Sequence, residues 1–525
     1  MRFSLFLGFV LAVIAASARA DVTVASLFAD GMVLQRDIAH PVWGWADPGE
    51  RVDVRFRDQQ HTTRAGKDGR WQVTLAPLGA SAEPAVLVLK GKNRLELRDI
   101  LVGDVWLCSG QSNMEWAVST ALNPQPEAAA ANFPQIRHCK ITRTVGETPA
   151  ATVEATWATC SPATVLRFSA VGYFFARDQH RALGVPIGIV TSAWGGTQVE
   201  SWISAPALAA DSDFAVVQTR WQQRLAAFPA EDLKQQAAIA AWEKEAAAAK
   251  AAGKKFTQRK PAAAEGPGSR WLPSGLYNGM IHPLRPFPFR GVLWYQGEAN
   301  EFRAAEYGKL FKTMIRQWRD DWQREDWPFY FVQLANYATP NDPSGQTWAF
   351  LREAQAAALA LPHTGMIVTV DIGEDRNIHF KNKQEAGRRL SLIARAQLQH
   401  EALEFSGPLY LSAKVEGAAI RVSFSHARGL RFRDGRAAGF EIAGADQKFH
   451  PAHTELDGET VLVRAEAVPA PVAVRYAWRN TPEVSLFNDA GLPAAPFRSD
   501  DWPASGESIA AKVFDSSPTI ARRFR

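Results

Sequence analysis

The sequence predicts an α/β fold: a parallel sheet covered on both faces, flanked by β domains. Three observations lead there. Between about residues 99 and 405, apolar strand-like runs alternate with long helical patterns, the rhythm of β-α-β units. Residues 21–98 instead carry short alternating strands with frequent turn signals, which argues a β-sandwich. Residues 406–525 return to that style and predict a second β domain. The 525 residues suit about three domains at roughly 100–200 residues each.

Taken in order, residues 1–20 read as an export leader. Arg2 supplies a positive start, 3–16 are apolar, and Ala18-Arg19-Ala20 offers a small-residue cleavage site. The apolar run is too short to span a bilayer comfortably. The expected location is periplasmic or secreted, with no membrane attachment after cleavage. In such an oxidising compartment, Cys139 and Cys160 are candidates for a disulfide, and Cys108, in an apolar run, reads as buried. Pro41-Val42-Trp43-Gly44-Trp45, 51–56 and 71–75 are strands of the first domain. The middle domain has strands predicted at 104–108, 187–192, 291–295, 329–334 and 366–371. Its helices are predicted at 166–183, 303–324, 346–361 and 382–400. A helical insertion covers about 206–270: 230–255 are rich in Ala, Lys and Glu, and 259–269 read as a loop. Strands at 420–424, 461–463 and 472–476 mark the last domain.

Composition narrows the function. The 59 Lys and Arg against 54 Asp and Glu form no basic tract, so no nucleic-acid partner is expected. Three cysteines exclude a disulfide-dense scaffold and a four-cysteine zinc module. His450 and His453 form an H-x-x-H in a β-domain loop, and no metal site is assigned. Nothing in the pattern speaks to oligomeric state.

Chemistry in an open parallel sheet gathers at the carboxyl ends of its strands. After 104–108 comes Ser109-Gly110-Gln111-Ser112-Asn113-Met114, a glycine turn followed by a serine opening a helix. Ser112 is the candidate nucleophile, against the plainer reading of an N-cap. The motif is not G-x-S-x-G, so an α/β-hydrolase elbow is not supported. After 187–192 comes Ala193-Trp194-Gly195-Gly196-Thr197, whose paired glycines let backbone N–H groups approach a developing oxyanion. After 291–295 comes Gln296-Gly297-Glu298-Ala299-Asn300, a polar cluster with donor amides; Glu298 reads as holding neighbouring backbone N–H groups. After 366–371, His379 follows Asp375, Arg376 and Asn377 in a polar turn. A histidine there suits proton transfer to and from a serine, and Asp375 is the nearest aspartate to orient it. Together the strand ends supply nucleophile, donors and base, a complete acyl-transfer set.

These residues carry a resemblance. Val105 through Met114, Ala193 through Thr197, Leu276 through Ile281, Trp294-Tyr295-Gln296-Gly297-Glu298 and Ile378-His379 through Lys383 resemble sialate O-acetylesterase-like carbohydrate esterases of the SGNH hydrolase superfamily. Met32 through Arg36, Pro41 through Gly44 and Val474 through Trp478 extend the likeness over nearly the whole chain. The resemblance implies a flavodoxin-like three-layer domain. It implies Ser112 as nucleophile, His379 as base, and an oxyanion hole from the Ser112 N–H, the Gly196 backbone and a side-chain amide, Gln296 first and Asn300 second. Many SGNH enzymes carry Asp three residues before the histidine, where this chain has Arg376. Two before it stands Asn377. Either Asp375 completes a triad, or main chain near Asn377 supports a dyad.

The partner so implied is an O-acetylated oligosaccharide or glycan: a sialic acid, or a plant cell-wall polysaccharide such as xyloglucan or xylan. Arg376 is a candidate for a sialate carboxylate. Trp116 and Trp194, with Trp202, Trp271 and Trp294, are candidate sugar platforms near the motifs, most of them core; Glu298 and Asn377 complete the candidate substrate contacts. No cofactor is required. Two readings compete: a lipase or thioesterase with the same machinery, and a glycan-binding protein with a vestigial site.

Overall fold

The computed structural model describes residues 21–340 and 342–503; the leader-like residues 1–20 lie outside them. We number the strands of the central sheet β1 (Arg94–Gly110), β2 (Ile136–Ile141), β3 (Ala155–Thr159), β4 (Ile187–Ala193), β5 (Gly291–Tyr295), β6 (Phe329–Val332) and β7 (Thr364–Ile367). Their spatial order is β3-β2-β4-β1-β5-β6-β7. All neighbours are parallel except β3, which pairs antiparallel with β2 at one edge. From β1 the chain builds first toward β2 and β4, then returns past β1 to β5, β6 and β7. Strand order therefore reverses at β1, the place where such sheets open a crevice.

The helices used below are α1 (Ala170–Leu183), α2 (Ala215–Ala251), α3 (Ala304–Trp322), α4 (Thr347–Ala356) and α5 (Lys383–Leu398). Both faces of the sheet are covered, as its unbroken apolar strands require. Trp106 of β1 packs on Phe175 of α1, centroids 4.8 Å apart, and Trp294 of β5 packs on Phe311 and Trp318 of α3. The register sets Trp294 beside Ser109, three residues from Trp106, so the two indoles point to opposite faces. On the α1 side, α5 lies close: a Cβ on Gly387 would fall 2.6 Å from the Phe175 nitrogen.

The strand β1 is 17 residues long and runs straight across the boundary predicted at 98/99. Its first half pairs with Ser81–Lys90 and with Val33–Gln35, its second half with β4 and β5. Burial changes along it: exposed residues punctuate it up to Asp99, and Ile100 through Gly110 are all buried. That is the passage from a sheet wetted on one face to one covered on both. Residues 406–503 form two four-stranded antiparallel sheets and one two-stranded pair around a shared core including Ile420, Val422, Ile442, Val463 and Val474. The insertion is chiefly α2, 37 residues long and buried only at Val217 and Trp221.

The structure corrects the disulfide. Cys108, Cys139 and Cys160 are all buried free thiols. Cys160 N–H donates to the Ile136 carbonyl, three residues along β2 from Cys139. That stagger is about 10 Å at the strand rise, beyond the roughly 7 Å a disulfide can bridge. Among the described residues, no helix is long and apolar enough to cross a membrane.

Candidate active site

The site begins where β1 stops. Gly110 has φ +126°, and a Cβ there would sit 2.1 Å from the Tyr295 carbonyl oxygen, so only glycine lets β1 end against β5. Gln111 N–H donates to that same carbonyl at 2.8 Å, and the Gln111 side-chain oxygen accepts from Ala299 N–H at 3.2 Å. Ser112 then opens a one-turn helix, Ser112–Glu115. Ser112 and His379, distant in sequence, meet: Oγ lies 2.9 Å from Nε2, with the residues 7% and 6% exposed. Burial, then the charge of Lys383, lowers the His379 pKa to about 4, so the imidazole is neutral at pH 7 and able to accept a proton.

A bracket behind the pair fixes this geometry. Asn113, next to Ser112, donates through Nδ2 to the carbonyl of Ile378, next to His379, at 3.0 Å. The same amide donates to Glu298 Oε1 at 2.6 Å, and its oxygen accepts from Lys383 Nζ. Lys383 is buried, its ammonium 3.7 Å from the Phe380 ring centroid, and burial lowers its pKa to about 7. Burial raises the Glu298 carboxyl. Asn113 and Lys383 stand inside the motifs that carry the resemblance, which assigns them no role. Their signal was a polar residue immediately after the serine and a lysine opening the helix after the histidine.

The other candidates are placed as follows. Asp375 is exposed and accepts from the Asn336 amide. Among the described residues it makes no hydrogen bond to His379, so proximity in sequence misled there. Asn377 Oδ1 accepts from the His379 backbone N–H at 3.1 Å, and its amide reaches Glu374 at 3.2 Å. Trp116 stacks on the His379 ring, centroids 4.1 Å apart and planes 13° apart, so one indole face is occupied. Glu298, expected among substrate contacts, is buried and holds Asn113. Arg376 is exposed. Trp194 is half-buried with the Arg143 guanidinium 5.7 Å from its ring. Arg143 is paired with Glu115.

The amides expected as side-chain oxyanion donors are engaged by other partners. Gln296 Nε2 donates to the Thr197 carbonyl at 3.1 Å and to Asn300 Oδ1 at 2.7 Å, which spends both its protons. Asn300 donates to Glu200 at 2.9 Å and accepts from Val199 N–H at 3.0 Å. Both amides are fully buried and brace the loop after β4. Gly195 of that loop lies against Ser112: its ideal Cβ would sit 3.1 Å from Ser112 Cβ. Among the described residues the N–H groups of Ser112 and Gly196 have no acceptor.

Residues 261–395 match the family model described as SASA, carbohydrate esterase, sialic acid-specific acetylesterase; that span holds His379 and Lys383, and Ser112 lies before it. The sialate O-acetylesterase of Rattus norvegicus is 30% identical over 526 residues, covering 90% of this chain and 93% of the relative. That of Homo sapiens is 28% identical over 527 residues, covering 90% and 91%. The crystal structure of a carbohydrate acetylesterase from Xanthomonas citri is similar at a TM-score of 0.79 and 39% identity, covering 92% of this chain and 100% of that one.

Proposed function

This chain belongs to the sialate O-acetylesterase family of carbohydrate esterases and is a carboxylic ester hydrolase, and we propose that Ser112 and His379 cleave O-acetyl groups from glycans through an acetyl-serine intermediate. The observation that carries this reading is the 2.9 Å contact between Ser112 Oγ and His379 Nε2 at the reversal point of the sheet. We read the central domain as a flavodoxin-like SGNH hydrolase fold with flanking β-sandwich domains; the parallel strands with Ser112 after the central one support this. The leader-like residues 1–20 support a periplasmic or secreted enzyme.

Neutral His379 takes the Ser112 proton as Oγ attacks the acetyl carbonyl. The oxyanion accepts hydrogen bonds from the N–H groups of Ser112 and Gly196. The imidazolium then protonates the departing sugar oxygen. In the second half, His379 draws a proton from water as it attacks the acetyl-serine, then gives that proton to Ser112 Oγ as acetic acid leaves and ionises. His379 works in a dyad. Trp116 stacks on the ring and Asn377 holds the His379 backbone N–H, where a triad would place a carboxylate. Asp375→Asn should therefore change kcat by no more than about threefold, where loss of a triad aspartate costs about 10⁴; steady-state rates on an aryl acetate distinguish the two.

The pH profile follows from the lowered His379 pKa. The active form is neutral, so activity is present above the folded pKa and lost as pH falls through it. The acid limb of kcat/KM should fall near pH 4, not at the free histidine value of about 6.5. A limb at the free value would contradict the buried, Lys383-facing imidazole.

Acetate release from acetylated sialic acids, xyloglucan, xylan and an aryl acetate, by this protein and its Ser112→Ala variant, tests the reading. Release from one glycan class, lost in the variant, supports it and names the substrate. Release from none transfers weight to a glycan-binding protein.

A further inference from the structure

We propose that Trp271, which follows the helical insertion, is a positioning residue for the oxyanion donor at Gly196, and that Arg224 of α2 holds it in place. This rests on the reading of Gly196 N–H as a donor. The Gly195–Gly196 peptide carries that N–H, and neither residue has a side chain to anchor it. Gly196 sits at φ +72°, where glycine costs little but is also free to leave. Hydrogen bonds from outside the loop must therefore fix which way the N–H points.

The structure supplies them on both sides. Gly195 N–H donates to Glu115 Oε2 at 3.2 Å, and the Gly196 carbonyl accepts from Trp271 Nε1 at 2.7 Å. One residue on, Gln296 holds the Thr197 carbonyl, and Thr197 Oγ1 bridges the Trp194 carbonyl and the Trp202 indole at 2.8 and 3.0 Å. Within this braced loop the Gly196 N–H stays unspent.

Trp271 is 5% exposed, so its ring is not an open sugar platform, and its indole N–H is committed inward. Its π-face carries the Arg224 guanidinium, 4.3 Å from the ring centroid, a favourable cation–π geometry. Arg224 lies on α2, a helix otherwise turned largely to solvent. A path of contacts thus runs from the insertion through Arg224 and Trp271 to the Gly196 carbonyl, one peptide beyond the N–H beside Ser112. By fixing Gly196 from its carbonyl side it gives the insertion a role in rate, since the alignment of the Gly196 N–H matters only once charge forms on the substrate oxygen.

The test compares the full chain with Trp271→Phe, which removes the indole N–H and keeps a ring, and with Arg224→Gln. Steady-state kinetics on an aryl acetate are read beside the affinity of an alkyl trifluoromethyl ketone. Ser112 would add to that ketone's carbonyl carbon, and the resulting hemiketal oxyanion would occupy the hole. Trp271→Phe should lower kcat about 10- to 100-fold with KM within about twofold, the signature of a misplaced transition-state donor. Ketone affinity should fall by the same factor, and Arg224→Gln should shift both in parallel to a smaller extent. Loss of kcat without matching loss of ketone affinity overturns the proposal, as does no change in either. If Trp271→Phe lowers Tm sharply, Arg224→Gln carries the same criterion, and unchanged kcat and affinity in it overturn the proposal. Gly196→Ala separates the premise. Should it weaken the ketone while Trp271→Phe does not, the donor stands and the positioning role falls. Should it lower Tm, the mark of a loop strained at φ +72°, and still leave ketone affinity intact, the donor reading fails as well.

Discussion

Ser112→Ala is expected to lower kcat for acetate release by about 10⁴- to 10⁶-fold while the fold persists. The serine is lost as an attacking atom, and His379 is left facing water without its 2.9 Å partner. Stability should change by no more than about 1 kcal/mol, because a single hydrogen bond is removed and alanine suits the helix that begins there. Thermal unfolding of the variant beside rates on an aryl acetate checks both halves. A rate within tenfold of the parent, on the scale of about 10⁴ expected for a lost nucleophile, would remove Ser112 from the mechanism.

The second large effect is on stability. Arg352 in α4 is 0% exposed, and its guanidinium donates to the carbonyls of Leu334, Ala335, Arg479 and Asn480 at 2.7–3.0 Å. Burial lowers its pKa to about 9, so it stays charged at pH 7. Arg352→Met leaves these carbonyls without that donor, each loss worth about 1–3 kcal/mol against the gain of removing a buried charge. A net destabilisation of about 3–5 kcal/mol is expected, read as a lower urea midpoint. Two of the carbonyls lie just after β6 and two beyond residue 406, so limited proteolysis should show the C-terminal sheets loosened in the variant. An unchanged midpoint would mean that water takes over the carbonyls.

How much of this was legible depended on what each residue advertises. Strands β4 and β5 stood out because all their residues are buried and their sequences nearly all apolar. β2 is missing from the strands expected of the central sheet because Arg137, His138 and Lys140 interrupt its apolar run. His138 is nonetheless buried, 3.0 Å from Thr191 and stacked on Phe168, so a tertiary partner overrides the local pattern. The strand predicted at 366–371 ends at Ile367, since Asp371 turns to meet Arg389. In the site, Ser112 and His379 were readable as residues just past strand ends. The roles of Gln296 and Asn300 were not. An amide at a strand end looks like a donor until its protons are followed to Thr197 and Glu200, and those partners are far away in sequence. Asp375 failed for a related reason: spacing does not say which way a side chain turns.

The long strand β1 has a consequence for how the molecule can be cut. A hinge needs a place where the backbone can bend without breaking ladder bonds, and between Arg94 and Gly110 each half is tied into a sheet. The N-terminal sheet and the central sheet are thus girders welded to a single beam, and thermal unfolding should show them melting as one cooperative block. Residues 21–93 are not a cassette that can be deleted or exchanged, because their removal would strip the partners from the strand that delivers Ser112.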